Sequence, residues 1–372
     1  MRESIIPLFK VAMNPRVDDS LLKVLHSGYT GEGPKVKEFE ERLAFLFNNK
    51  NCLALNSGTA GLRLALEMTK LETPQKKKVI ATPLTCFATN APILTSGNFI
   101  VWADIQKDSL NIDPDSIEEE AKNDVLAIIV VHWGGYPCDM DKIKKISEKY
   151  NIPVIEDGAH TFGSTYKGSI IGDCSYSDFC MISFQSIKFL STGDGGVLFT
   201  KKKKHYDKLK LLRWFGIDRD SPRQDLRCEE DILQAGFKFQ MNDLAATIGL
   251  SNLAIVQENL KTTRENVRFY RENLKDIPGI TLIQNKTDRE SSNWLFTILV
   301  DDALGFARKM GEKRIMVSKV HARNDKHSCT KLFQKYLPNL EKVEGKRVCL
   351  PVGWWVTKED RAYIAESVSE GW

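Results

Sequence analysis

From residue 50 onward, apolar runs alternate with polar breaks at a steady spacing. NCLALN reads as a strand, and SGTAGLRLALEM as a turn that opens a helix. KVIATP is the next strand and CFATNAPILTSG a helical segment. NFIVWADI is followed by PDSIEEEAKN, a helix with acidic residues in its first turns, where the helix dipole favours them. VLAIIVVHW is a continuous apolar strand, MDKIKKISEKYN an amphipathic helix, and IPVIED another apolar strand. Strands that are apolar on both faces and alternate with helices predict an α/β fold, with a mostly parallel sheet covered on both sides. Ligands of such sheets bind beyond the carboxyl ends of the strands. The polar clusters SGT, HWGG and EDGAH fall at those ends.

The pattern changes near residue 256. QENLKTTRENVRFYRENLKDI predicts a long charged helix. Shorter strands follow at ITLI, WLFTILV and RIMVSKV, and a last helix begins near Lys358. We therefore expect a large domain over residues 1–255 and a smaller C-terminal α+β domain over residues 256–372, joined by the long helix.

Composition narrows the class. The chain has 372 residues, with 42% apolar, 27% charged and a formal net charge of +4, too small an excess to argue for nucleic acid. Eight cysteines are scattered without a Cys-x-x-Cys pair, the expectation for a reduced, cytoplasmic protein with buried thiols rather than a disulfide frame. Charge and proline interrupt the N-terminal segment, so no signal-peptide core is expected there. No apolar stretch reaches membrane-spanning length. Neither a membrane nor nucleic acid is expected as a partner.

The candidate chemistry lies in three clusters. SFQSIKFLSTGDGG places one lysine, Lys188, between two strand-like runs. It is either an exposed turn lysine or an amine nucleophile that forms an imine. Ser57, Gly58 and Thr59 lie between a strand and a helix start, where free N–H groups suit a phosphate; a plain helix cap is the competing reading. Asp157 ends an apolar strand, where a carboxylate can hold a protonated ring nitrogen, and His160 follows three residues on. Ser183 shares the turn with Lys188 and could add a phosphate contact. A phosphate cradle, a carboxylate and an imine-forming lysine together are what pyridoxal 5'-phosphate requires.

These motifs, with GPKVKEFEERLA, NSGTAGLRLAL, VVHWGGYPCDMD, VIEDGAHTFGS and GFKFQMNDLAATIGL, resemble the DegT/DnrJ/EryC1/StrS sugar aminotransferases. The resemblance implies PLP-transferase fold type I, with a seven-stranded-type sheet in the large domain. It implies that Lys188 is the lysine that bonds the cofactor and that Asp157 pairs with its ring nitrogen. His160 would lie beside the ring. Ser57, Gly58, Thr59, Ser183 and Gln185 would line the cofactor site, and Asn242 would reach the phosphate of a neighbouring subunit in a homodimer. The family's aromatic residue on the cofactor ring is not matched: Thr85-Cys86 stands there, with Phe87 next, and either Cys86 or Phe87 meets the ring. HARNDKH (321–327) and PVGWW (351–355) also depart from the family's usual forms. His321, His327 and Cys329 could hold a metal, but without a second ligand cluster a structural or substrate role is expected instead.

The resemblance implies transfer of an amino group from L-glutamate to a nucleotide-linked keto-deoxysugar. STGDGG after the lysine favours C4 of a 4-keto-6-deoxyhexose over C3. A sugar dehydratase of the same fold would carry histidine in place of Lys188. A non-catalytic cofactor-binding regulator is the rival from another class, and no helix-turn-helix accompanies it. A nicotinamide oxidoreductase would need a Gly-x-Gly-x-x-Gly after the first strand, which is missing.

Overall fold

In the computed structural model, the strands read as apolar on both faces assemble into one seven-stranded sheet. The structure describes residues 4–122, 124–220 and 231–372; Cys228 lies outside them. The strands are β1 (Cys52–Leu55), β2 (Lys78–Ala81), β3 (Phe99–Trp102), β4 (Val125–Val131), β5 (Val154–Asp157), β6 (Phe179–Ser183) and β7 (Gly196–Thr200). Their order is β1-β7-β6-β5-β4-β2-β3. Only β7 runs antiparallel to its neighbours. Every residue of β4 is buried, because helices cover both faces and leave no side of that strand for water.

Helices α1 (Pro34–Leu46), α2 (Gly58–Glu72) and α3 (Phe87–Thr95) belong to the large lobe. Ser57 caps α2, its hydroxyl accepting the Ala60 N–H. The smaller lobe has a three-stranded antiparallel sheet of β8 (Ile280–Leu282), β9 (Phe296–Val300) and β10 (Arg347–Leu350). It holds its own buried apolar cluster, with Ile298, Phe306 and Ile364 at its centre. No helix among the described residues is long and apolar enough to cross a membrane.

Two expected elements differ. The charged helix read from residue 256 is the second half of one 32-residue helix, α4 (Asp243–Leu274), capped by Asn242. The sequence changes there from apolar to charged because the helix leaves one core for the other, while no Pro or chain break stops the backbone. The proposed division near residue 255 falls inside it. RIMVSKV is not a strand. It makes only isolated bridges, Ile315 to Ile6 and Ser318 to Cys349, because Arg314 (φ 56°) and Val320 (φ 67°) adopt left-handed backbone that breaks a ladder at both ends.

The start of α2 lies directly against β7. A Cβ on Gly196 would come within 2.7 Å of the Gly58 nitrogen and 2.8 Å of the Ser57 carbonyl carbon. Both are backbone atoms, so a side chain can fit only if the helix start moves. Gly196→Ala should therefore destabilise the fold by about 1–3 kcal/mol, the usual cost of overpacking. Urea denaturation followed by circular dichroism measures it, and an unchanged midpoint would show that the contact yields freely.

Candidate active site

The chain's candidate residues converge at one end of the large sheet. Ser57 follows β1, Thr82 to Cys86 follow β2, His132 follows β4, Asp157 ends β5 and Ser183 ends β6. Gly196, the first residue of the antiparallel β7, lies at the same end, paired with Ser183. This is the end at which parallel sheets bind ligands, because the chain crosses over there and leaves a crevice.

Asp157 is 4% exposed. Its Oδ2 accepts the Thr89 hydroxyl at 2.7 Å, and its Oδ1 accepts the Ala159 N–H at 3.0 Å. Thr85 hydrogen-bonds to Thr89 in turn, at 2.8 Å. Burial pushes the carboxyl's pKa up, and the Thr89 and Ala159 bonds and the charge of Lys188 oppose it. Behind it, Glu156 points to the other side of β5 and faces His132 Nε2 at 2.8 Å, with the Ser177 hydroxyl also donating to it. The Cys138 N–H donates to His132 Nδ1. That nitrogen is therefore an acceptor, and the ring proton lies on Nε2 toward Glu156. Asp157 thus sits on a strand end whose rear face is fully hydrogen-bonded.

Lys188 lies on the turn after β6, half-buried. Its amine is 3.5 Å from the centre of the Trp294 ring. Burial pulls its pKa down to about 7, and the negative charge of Asp157 pulls the other way. His160 is 5% exposed and stacks on Trp294 at 4.0 Å, with 20° between the planes. His321 stacks on His160 at 5.9 Å. Burial and the Lys188 cation hold the pKa of His160 well below its usual value, and that of His321 at about 4. Both imidazoles are neutral at neutral pH, so the pocket holds one ionisable amine and one carboxylate among uncharged rings.

The remaining candidates lie on nearby turns and helix starts. Gly58 is the first residue of α2, and a Cβ there would lie 2.7 Å from Met181 Sδ and 3.1 Å from Ser183 Cβ. Thr59 is exposed on the same turn. Ser183 accepts the Gln185 N–H, and Gln185 bonds to Ser186 and the Ile187 N–H. Cys86 is exposed and close enough to bear on the Lys188 charge. Phe87 instead packs edge-on against His327 at 5.3 Å. Asn242 is exposed at the start of α4 and caps it through the Ala245 N–H. Thr89 and Trp294 were not singled out from the sequence. Thr89 carried a usable signal, four residues after Thr85 on a helical segment; Trp294 had none, because it comes from the other lobe.

These residues fit pyridoxal phosphate. A buried carboxylate and an amine of lowered pKa share one pocket. His160 Nδ1 is buried without a hydrogen-bond partner. The helix start over Ser183 has backbone in place of side chain at Gly58. A separate cavity of about 520 Å³ under Arg213 takes in none of these residues, and its arginine is already paired with Glu32 and Glu40.

Comparison with known proteins places this geometry. The family described as the DegT/DnrJ/EryC1/StrS aminotransferase family matches residues 12–369. A crystal structure of AtS13 from Actinomadura melliaura is 41% identical, covers 100% of both chains and superimposes with a TM-score of 0.96. A UDP-4-amino-4,6-dideoxy-N-acetyl-beta-L-altrosamine transaminase from Campylobacter jejuni serotype O:23/36 is 34% identical over 76% of this chain and 73% of its own length. An uncharacterized protein of Methanocaldococcus jannaschii, MJ1066, is 36% identical over 68% of this chain and 65% of its own length.

The lowered pKa of Lys188 has a direct chemical test. Only the neutral amine reacts with trinitrobenzenesulfonate, so modification of Lys188 should rise as pH increases through about 7. An ordinary lysine would rise near 10.4. Loading the protein with pyridoxamine phosphate leaves the amine free, and peptide mapping by mass spectrometry reads the site. An inflection near 10 would place the amine in water.

Proposed function

The chain belongs to the DegT/DnrJ/EryC1/StrS family of pyridoxal phosphate-dependent aminotransferases, and from that premise we propose its reaction. It moves the amino group of L-glutamate onto a nucleotide-linked keto-deoxysugar, at C4 of a 4-keto-6-deoxyhexose. The observation that carries this reading is that Lys188, with a pKa of about 7, and the buried Asp157 lie close enough to act on each other's charge. The transaminase name of the Campylobacter jejuni relative supports a nucleotide sugar as the acceptor class. The STGDGG turn after Lys188 supports C4.

When bound, the cofactor supplies an amine carrier and an electron sink. The protein's part follows from its own groups. A lysine amine with a pKa near 7 exchanges protons in both directions at neutral pH, which is what a general acid–base at the substrate carbon requires. Asp157, fixed by Thr89 and the Ala159 amide, presents a carboxylate that accepts a hydrogen bond from a protonated ring nitrogen. The neutral His160 and His321 add no competing charge. The start of α2, with Ser57, Gly58 and Thr59, together with Ser183 and Gln185, offers N–H and hydroxyl donors to a phosphate. Of the two candidates for the cofactor ring, the packing of Phe87 on His327 favours Cys86.

We also propose a homodimer in which Asn242 serves the partner's phosphate site. Its side chain only caps its own helix, and it is exposed at the start of a 32-residue helix.

The reaction is tested with glutamate and a panel of UDP-, dTDP- and GDP-linked keto sugars, read by mass spectrometry. Amino-sugar should form with one nucleotide series. Asp157→Asn should lower that rate by roughly a hundred- to a thousand-fold, the scale of losing one positioned charge or donor. No amino-sugar from any of the panel would sink the reading.

Subunit mixing tests the shared site. Asp is as good a cap as Asn, so Asn242→Asp should fold while repelling a phosphate. Lys188→Ala and Asn242→Asp proteins should each be inactive. After subunit exchange, a mixed dimer has one site with both lesions and one with neither, so activity should return. A mixture that stays inactive, with exchange shown by mass spectrometry, rules the shared site out.

A further inference from the structure

The segment Ser291–Leu295, which enters β9, belongs to the smaller lobe's sheet but is stitched to the large lobe. Ser292 N–H donates to the Ser164 hydroxyl, and the Ser292 hydroxyl donates to the His160 carbonyl. Leu295 N–H donates to the Gly134 carbonyl. The approach is close enough that a Cβ on Gly135 would lie 2.0 Å from Ser292 Oγ. Asn293, at φ 58°, turns the chain between these anchors. The result is to bring Trp294, 7% exposed, against both Phe9 and His160. The indole stacks with the Phe9 ring at 4.9 Å and with the His160 ring at 4.0 Å.

Two contacts then tie this indole to the lysine turn. Its Nε1–H donates to the Ile187 carbonyl at 3.1 Å, one residue before Lys188. Its ring centre lies 3.5 Å from the Lys188 amine. A ring that merely filled the core would need neither contact. We propose that Trp294 is a positioning residue for Lys188: the indole docks the lysine's free ammonium on its ring, and its N–H fixes the turn that carries the lysine.

The chemistry supports this. A cation over the indole of tryptophan is attracted by the ring quadrupole, and more strongly where water is excluded. The charged and titratable groups around the amine are Asp157 on β5, Cys86 before α3, and His160 and His321, which are neutral. Asp157 offers negative charge from one side. The indole offers its face from the other lobe, so the free amine has a defined resting place while it is not bonded to the cofactor. This rests on the reading of Lys188 as the cofactor-bonding lysine.

The experiment measures where the free amine titrates. The full protein is loaded with pyridoxamine phosphate, and modification of Lys188 by trinitrobenzenesulfonate is followed against pH by peptide mapping. Removing the indole should favour the neutral amine. Trp294→Leu should therefore lower the inflection by about one pH unit, and Trp294→Phe, which keeps a weaker ring and loses the N–H, by less. If Trp294→Leu does not fold by circular dichroism, the Trp294→Phe shift decides alone. An inflection unchanged or raised in the folded variants overturns the proposal, because a purely structural indole would not act on the amine's protonation. The reading of Lys188 is checked separately, by borohydride reduction of the wild-type protein loaded with pyridoxal phosphate. A label on any residue other than Lys188 would defeat that reading, whatever the Trp294 variants do.

Discussion

Burying the Lys188 amine beside the buried Asp157 carboxylate is the constraint on which the rest of the site depends. Desolvation pulls the amine toward its neutral form, and the nearby carboxylate pulls it back toward the cation. Neither wins outright, so the amine sits at about 7, where it exchanges protons readily. The balance would fail if other charges entered. His160 and His321 are kept neutral by the same burial. Arg347, the cation behind His321, is drawn off to Glu344 and lies over the Trp133 ring.

A balance between two opposing effects is useful only if the geometry is held. On the Asp157 side, the holding is done by hydrogen bonds. Thr89 and the Ala159 amide orient the carboxylate, and Glu156 on the reverse face of the same strand is fixed by His132 and Ser177. A two-residue period makes this possible, because Glu156 and Asp157 point to opposite sides of β5. On the Lys188 side the holding comes from the other lobe. Asn324 adds a second tie between the lobes: its amide donates to the Thr85 carbonyl and its oxygen accepts from Asn90. Thr85 is the residue that bonds Thr89, so the segment 321–327 reaches Asp157 through two side chains.

This explains what the sequence could and could not reveal. The sheet, its mostly parallel order and the place of Asp157, Ser57 and Ser183 at strand ends are local consequences of apolar runs bounded by polar residues. Such runs are visible in one dimension. Lys188 was legible as chemistry because a lone lysine between two buried strands needs a reason. Trp294 was not, since nothing in SSNWLF says that its ring will cross to another lobe and meet residue 188. RIMVSKV looked like a strand because its residues favour one, and two left-handed residues overrode that preference. The start of the long helix at Asp243 was not legible from the charged run at residue 256, because the helix's burial partner changes midway although its backbone does not.

The departure at Cys86 takes its sense from the same lobe contact. The resemblance leads to an aromatic residue there, on the strand-end side of the site. The chain instead has an exposed thiol, and the neighbouring Phe87 is turned away onto His327. Aromatic surface has not been lost from the site, because Trp294 and His160 form a stacked pair directly beside Lys188, continued by Phe9 and His321. Four rings in a row are stiff. Each has few rotatable bonds, and moving either inner ring means unstacking two contacts. The stiff stack holds the lysine side. Rigidity in this site is thus concentrated on the wall that carries the acid–base group.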